Sequence, residues 1–344
     1  QMCIRDRFTR DSLFLSHSYC LKRSLRAPTA LLLQKVRNRE YHSCMRIARL
    51  IYIPERDLTF PATGPERPFH AFSVAGTSIG AYCALQLREA GFEAVLGPEE
   101  EERGSGDGAV EVSMHDFSPE AAVWLADYGL GECELRNAEG CFLAGKGAPG
   151  VRRSSLKRDM AVERLVYPWD LLDWQERVMR GMEGDGGFIK DGAHVMGTLR
   201  LGRDSAVLPG VVVEGCVWVG DGCRVGPNCY LRGYVSLGDR CVVGQGVELK
   251  NCIVGDGTFI SHLSYAGDSI IGNDVNFGAG TVCSNFRHDG AEQRMMAGGR
   301  LVETGRNKLG AVIGDHVRFG ANTVVLPGRV VSPGTWTMPG EVFR

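Results

Sequence analysis

With 344 residues, 44% hydrophobic and 23% charged, the chain has room for two domains of ordinary globular composition. A formal charge of −2 argues against a dedicated nucleic-acid binder, and no apolar run is long enough to span a bilayer. Twelve Cys occur without one CxxC pair, which argues against a cysteine zinc site and for reduced thiols in a cytoplasmic compartment.

Residues 1–44 mix Arg, Ser and Leu without a period. The opening Gln-Met-Cys-Ile-Arg-Asp-Arg reads as translated adapter and the rest as translated upstream sequence, with Met45 as the native start. The competing reading is an Arg-rich, acid-poor transit peptide. From Met45 a strand is expected, then a connection through Pro61, Pro65 and Pro68. Ile79 to Glu89 carries helical periodicity that Gly91 ends, and Phe92 opens a further strand. Residues 99–108 form an acidic loop, most simply solvated. Ser118-Pro119-Glu120 caps a second helix through Leu125. Residues 45–165 are therefore expected to form a small α/β layer. Tyr167-Pro168-Trp169-Asp170 opens a third helix, through about Met182, within a linker of 166–186. That linker helix is expected to cap the open end of the domain behind it.

The domain in question, 187–344, is organised by a period of six. Leu201, Val207, Val213, Val219, Val225, Leu231, Leu237, Val243 and Leu249 follow one another at that spacing. After a five-residue step the register resumes at Val254 and Ile260, then at Ile271 and Phe277, and finally at Ile313, Phe319, Val325 and Val331. Neither a helix nor an alternating strand keeps such a period. Gly follows many of these residues, and Cys223, Cys229 or Cys241 stand two places before others, where a thiol acts as a compact hydrophobe. Hexapeptide repeats of this kind coil into a parallel β-helix, expected to be a left-handed triangular prism. The fold class is thus mostly β, with a smaller α/β domain ahead of the coil. Residues 285–309 interrupt the repeat with a polar, Gly-containing loop, a place for a concave site.

The chemistry-bearing residues come in order: Arg232, Val-Glu-Leu-Lys250, His262-Leu-Ser-Tyr265-Ala-Gly-Asp268, Asn276-Phe-Gly-Ala279, Ser-Asn285-Phe286 and Asn-Lys308. Arg232 and Lys250 occupy the place after the inward aliphatic residue, where Gly is usual, and bulky cations there are hard to explain as filler. Acyl transfer from a thioester to an amine needs a base, and His suits that at neutral pH. His194 and His316 read as structural residues in coil turns, and His288 and Asp289 as solvated.

In these motifs residues 165–340 resemble the acetyltransferase half of the bifunctional UDP-N-acetylglucosamine pyrophosphorylase/glucosamine-1-phosphate N-acetyltransferase family, especially its archaeal-like sugar-1-phosphate form. The resemblance implies an acetyl-CoA-dependent N-acetyltransferase acting on an amino-sugar 1-phosphate, with glucosamine 1-phosphate the expected substrate. His262 would be the general base. Arg232, Lys250, Tyr265, Asn276 and Lys308 would hold the sugar phosphate, three cations suiting a dianion. Asn285 and the backbone near Ala279 would place the acetyl group and its developing oxyanion. Phe286 stands where the bacterial enzymes commonly carry Tyr, and Ala321 where they carry Ser, so both depart from the pattern around acetyl-CoA. The chain ends soon after Gly340, where relatives continue into a tail that can contact the cofactor. A homotrimer with sites between neighbouring walls is implied as well. Acetyl transfer itself needs no metal.

Val74-Ala-Gly-Thr-Ser-Ile-Gly through Leu87-Arg-Glu-Ala-Gly-Phe looks like sugar nucleotidyltransferases after their phosphate loop, but nothing between Met45 and Ser73 supplies that loop. Gly145-Lys146-Gly147 has its letters in the wrong place. Residues 45–165 therefore read as a degenerate nucleotidyltransferase-like remnant. Two alternatives stand beside the main reading. One is a bifunctional enzyme with retained, Mg²⁺-dependent uridylyltransferase activity; the other is a non-catalytic coil for oligomerisation or regulation.

Overall fold

The computed structural model describes residues 47–51, 73–96, 109–114, 116–127, 133–139, 141–146, 154–158, 160, 163–180, 182 and 188–344. The expectations for residues 1–44, the proline connection and the acidic loop lie outside these. Among the described residues no helix is long and apolar enough to cross a membrane.

The N-terminal half is an α/β layer. A six-stranded mixed sheet runs in the order Ala94–Leu96, Ile47–Ile51, Val110–Ser113, Phe142–Lys146, Cys133–Arg136, Ser154–Lys157. Its first three strands are parallel. Helix α1, Ile79–Glu89, starts where Ser78 accepts the amide of Ala81, and buries Ile79, Cys83 and Leu87 along one stripe. Helix α2, Pro119–Asp127, starts on Ser118, whose hydroxyl accepts the amide of Ala121. Gly145 and Lys146 lie inside the central strand Phe142–Lys146, paired on both sides, so they form no phosphate-cradling loop.

From Phe188 onward the chain coils. Stacked residues are first eighteen apart, as Val207 with Val225 and Val225 with Val243, then seventeen apart, as Val243 with Ile260 and Ile260 with Phe277. All pairings between successive turns are parallel, and they define three walls. Wall one carries Val225, Ile260 and Phe277 inward, wall two Leu231, Leu249 and Ala266, and wall three Val219, Leu237 and Ile271. All are buried to 3% exposure or less, and each large one contributes about 1.5–3 kcal/mol by leaving water. Phe277 and Phe319 stack in the inner core edge to face at 5.2 Å.

Small polar side chains bind the turns internally. Ser205, Cys223, Cys241 and Thr258 each donate to a carbonyl of the next turn, at 2.7, 3.0, 3.1 and 2.9 Å. These thiols are hydrogen-bonding core residues. Burial alone pushes the Cys229 thiol up to about 12, so it stays protonated.

The outer side of wall three is apolar, which a prism wall facing water would not be. Ile253, Ile270 and Val312 there join Trp174, Ile79 and Leu125 in a second hydrophobic core, outside the coil. Helix α3, Asp170–Met179, lies along this wall rather than over the prism's end, which corrects the expected cap. Its buried Gln175 donates to the Tyr234 carbonyl and accepts from Ser236, both at 2.7 Å. An end cap is not where the apolar surface is, since wall three offers a whole column of aliphatic side chains to cover. The α/β layer packs over the same wall. The turn Ala75-Gly76 has both residues at positive φ, as a tight hairpin requires, and Gly76 lies on the Trp218 ring. A Cβ on Gly76 would stand 2.6 Å from that ring.

The interrupting loop folds into a hairpin, Arg294–Ala297 with Arg300–Glu303, and Met295 and Ala297 are buried in the second core. Arg306 pairs with Asp173 of α3. Most of this loop therefore clamps the α3 wall, and only its two ends reach the candidate site.

Candidate active site

Wall two presents the cations. The registers stack Tyr230, Glu248 and Tyr265 in one outward column, and Arg232, Lys250 and Gly267 in the next. Arg232 donates through Nε to Glu248 at 2.8 Å and stands 5.6 Å over the Tyr230 ring. Its charge is stabilised chiefly by that hydrogen bond to Glu248. Lys250 is ion-paired with Asp268 at 2.9 Å, the two side chains being 16% and 7% exposed. Two of the three expected phosphate cations thus already face carboxylates. Lys308 is exposed and has no carboxylate partner among the described residues.

Tyr265 is half-buried below Glu248. Burial first, then the neighbouring carboxylate, pushes its hydroxyl up to about 12, so it remains a hydrogen-bond donor at neutral pH. A raised value means the fold favours the protonated phenol. Its stabilisation is therefore complete below pH 10 and is lost as pH rises from 10 to 12. Unfolding measured across that interval is expected to show a downward slope that Tyr265→Phe flattens; equal slopes would count against the burial.

The chain turns from wall two to wall three through residues at positive φ: Gly233, then Asn251, then Asp268. In the turn containing Asn251, one residue stands opposite the pair Gly233-Tyr234, and this loss of a residue produces the five-residue step. Asp268 is 5% exposed and gathers three side chains: Lys250, Asn251 at 2.9 Å and Asn285 at 2.5 Å. Asn285 sits at one base of the loop, its carbonyl accepting the amide of Leu309, and Phe286 bridges to Lys308 beside it. Gly267 is hemmed in, since a Cβ there would lie 2.3 Å from the Tyr265 hydroxyl and 2.5 Å from Asn285 Nδ2.

His262 ends the strand Phe259–His262 of wall one, just before Leu263 turns the corner at φ 46° toward wall two. Its carbonyl accepts from Ser264 and from the amide of Gly280. The residue is exposed and its ring has no hydrogen-bond partner among the described residues. One turn on, Ala279 occupies the same edge, followed by Ala321, so small side chains continue along the edge from His262. Asn276 faces outward on wall one between Phe259 and Arg318.

The candidate residues therefore fall into two groups. Arg232, Lys250, Tyr265, Asn285, Phe286 and Lys308 belong to wall two and its far corner. His262, Ala279 and Ala321 belong to the edge between walls one and two, with Asn276 farther round on wall one. Glu248, Gly267 and Asp268 lie within the motifs read from the sequence but were assigned no role in the site. Spacing could have found the acids: each lies about one coil turn after a cation, sixteen residues for Glu248 and eighteen for Asp268. Of the other histidines, His194 lies in a strand rather than a turn, and His316 turns a corner with Nδ1 2.9 Å from Asp274. Asp289 is ion-paired with Arg287.

Residues 212–335 match the family described as the GMPPB C-terminal domain. A bifunctional sugar-1-phosphate nucleotidylyltransferase/acetyltransferase of Sulfurisphaera tokodaii is 38% identical over 179 residues, 52% of this chain and 45% of that protein. The bifunctional protein GlmU of Methanococcus vannielii is 46% identical over 81 residues, 24% of this chain and 19% of its own. That of Methanococcus aeolicus is 29% identical over 207 residues, 60% and 49%. The chain spans less than half the length of each of these relatives. Among solved structures, the acetyltransferase domain of PglB from Neisseria gonorrhoeae in complex with acetyl coenzyme A aligns at TM-score 0.29 and 12% identity, over 87% of this chain and 98% of that one.

Proposed function

We propose, from the premise that the C-terminal half of this chain is related to the bifunctional sugar-1-phosphate nucleotidylyltransferase/acetyltransferases, that it transfers an acetyl group from acetyl-CoA to an amino-sugar 1-phosphate, with glucosamine 1-phosphate the first candidate. The observation that carries the reading is an exposed imidazole at the edge of a wall whose next strands present Tyr265, Arg232 and Lys250. His262 accepts the proton released as the sugar nitrogen attacks the thioester carbonyl; the C–N bond forms, the C–S bond breaks, and the thiolate of CoA leaves and is protonated. Lys308, with no carboxylate partner among the described residues, meets the phosphate, while Arg232, at 35% side-chain exposure, can turn from Glu248 toward it. Ala279 and Ala321 leave room along the edge for an extended thioester. Because Asn276 and the Arg232–Lys250 column stand on different walls, the complete site is assembled between protomers, most simply in a trimer.

The test is release of free CoA thiol by the full chain, with acetyl-CoA and either glucosamine 1-phosphate, galactosamine 1-phosphate or no sugar. Release that depends on an amino-sugar 1-phosphate is expected, and none with either sugar would end the proposal. Pyrophosphate formed from UTP, Mg²⁺ and N-acetylglucosamine 1-phosphate would instead point to the bifunctional alternative. Gly145-Lys146 inside a strand weighs against that outcome.

A further inference from the structure

We infer that Asp268 is a positioning residue that ties the sugar-phosphate end of the site to the acetyl end, an inference that rests on the acetyltransferase reading above. Its Oδ2 takes both the Lys250 ammonium at 2.9 Å and Asn285 Nδ2 at 2.5 Å, while Oδ1 takes Asn251 Nδ2 at 2.9 Å. One carboxylate oxygen thus joins a cation from the turn before it to an amide from the turn after it.

Four other corner carboxylates of this coil are bound differently, whereas Asp274, like Asp268, takes side chains, those of His316 and Arg318. Along another corner, Asp221, Asp239 and Asp256 accept the backbone amides of Arg203, Asp221 and Asp239, and Asp315 accepts that of Asn273. Each of these stitches one turn to the next through the main chain. The Asp268 carboxylate makes all three of its hydrogen bonds to side chains. Burying a charge is costly unless it is paired, and two of its three partners, Lys250 and Asn285, are candidate site residues.

The arrangement has a chemical consequence at Asn285. A carboxylate can only accept, so Asp268 compels the amide to turn its nitrogen inward, and Oδ1 is left without a donor among the described residues. The free end of Asn285 is therefore an acceptor, suited to the N–H of the sugar nitrogen as it becomes an amide and not to the oxyanion expected of it. Lys250 is held in the same act and cannot swing out on its long stem.

Asp268→Asn removes the charge at nearly constant volume, so it frees Lys250 and permits the Asn285 amide to flip. The expected result is a fall in kcat of about tenfold, with KM for the sugar phosphate unchanged or lower, because the released ammonium still meets the phosphate. Asp268→Asn combined with Asn285→Ala is expected to lose no more kcat than Asn285→Ala alone. In NMR spectra the Asn285 side-chain amide is expected to be protected from exchange in the native chain and exposed in Asp268→Asn. A merely structural residue would lower the melting temperature and leave kcat of the folded fraction and the KM unchanged. Should Asp268→Asn not fold, Asp268→Glu keeps the charge and displaces it by one methylene, and lowered kcat at constant KM is again expected. Native kcat in whichever variant folds, or additive losses in the double variant, would overturn the inference. Absence of CoA release by the native chain would instead end the functional reading and the positioning role with it.

Discussion

His262→Gln is expected to lower kcat by about 10²–10⁴-fold, the range that general acid–base catalysis contributes. Gln keeps the polarity and approximate size of the side chain but cannot take a proton. The ring is exposed and binds no other described side chain, so its loss costs the fold little. Thermal unfolding should therefore be unchanged, and KM for both substrates should stay near its native value. The measurement is CoA-thiol release at saturating substrates. A variant that folds, assembles and turns over at the native rate would remove the base from the mechanism. It would also favour the coil as an assembly scaffold.

Gly267→Ala is the second large effect, and its logic is steric. The backbone of Gly267 is not in the left-handed region, so Ala adopts it without strain. The added methyl, however, would meet the Tyr265 hydroxyl at 2.3 Å and Asn285 Nδ2 at 2.5 Å. Both side chains must move, and a displacement near 1 Å in a positioned group costs about a hundredfold in rate. We expect kcat/KM to fall by about that factor, against a stability loss of about 1–3 kcal/mol from overpacking. Steady-state kinetics beside a melting curve separate the two. A loss of stability with native kinetics would show that Tyr265 and Asn285 do not act where this site places them.

Much of the architecture was legible before any coordinates. A period of six in aliphatic residues admits few solutions, because each inward side chain must recur once per wall, and the stacked walls obey it. The five-residue step after Leu249 marked the corner where Asn251 stands opposite the pair Gly233-Tyr234. Helix α1 begins and ends where its periodicity and Gly91 put it, and Ser118 caps α2 as local hydrogen bonding requires. These are short-range effects, decided within a few residues.

The position of α3 was not legible in that way, although a signal existed. Wall three doubles its aliphatics, as in Ile253-Val254, Ile270-Ile271 and Val312-Ile313, one residue facing in and the other out. That pattern marks a wall with a second core on its outside, yet it does not say which segment covers it. The candidate site divides similarly. The family resemblance nominated His262, Lys250 and Asn285, and a base, a cation and an amide are residue types that suit the roles it implies. Only the fold revealed that Lys250 and Asn285 converge on Asp268. Residues a full turn apart become neighbours through stacking, so the spacing of one coil turn nominates Asp268 as a partner of Lys250, and the fold closes the contact. The sequence by itself determined the repeat, hence the prism and its inner core, because the periodicity and the side-chain volumes are local facts. Tertiary structure alone decided which wall is covered and which charges meet, because both depend on surfaces brought together from distant parts of the chain.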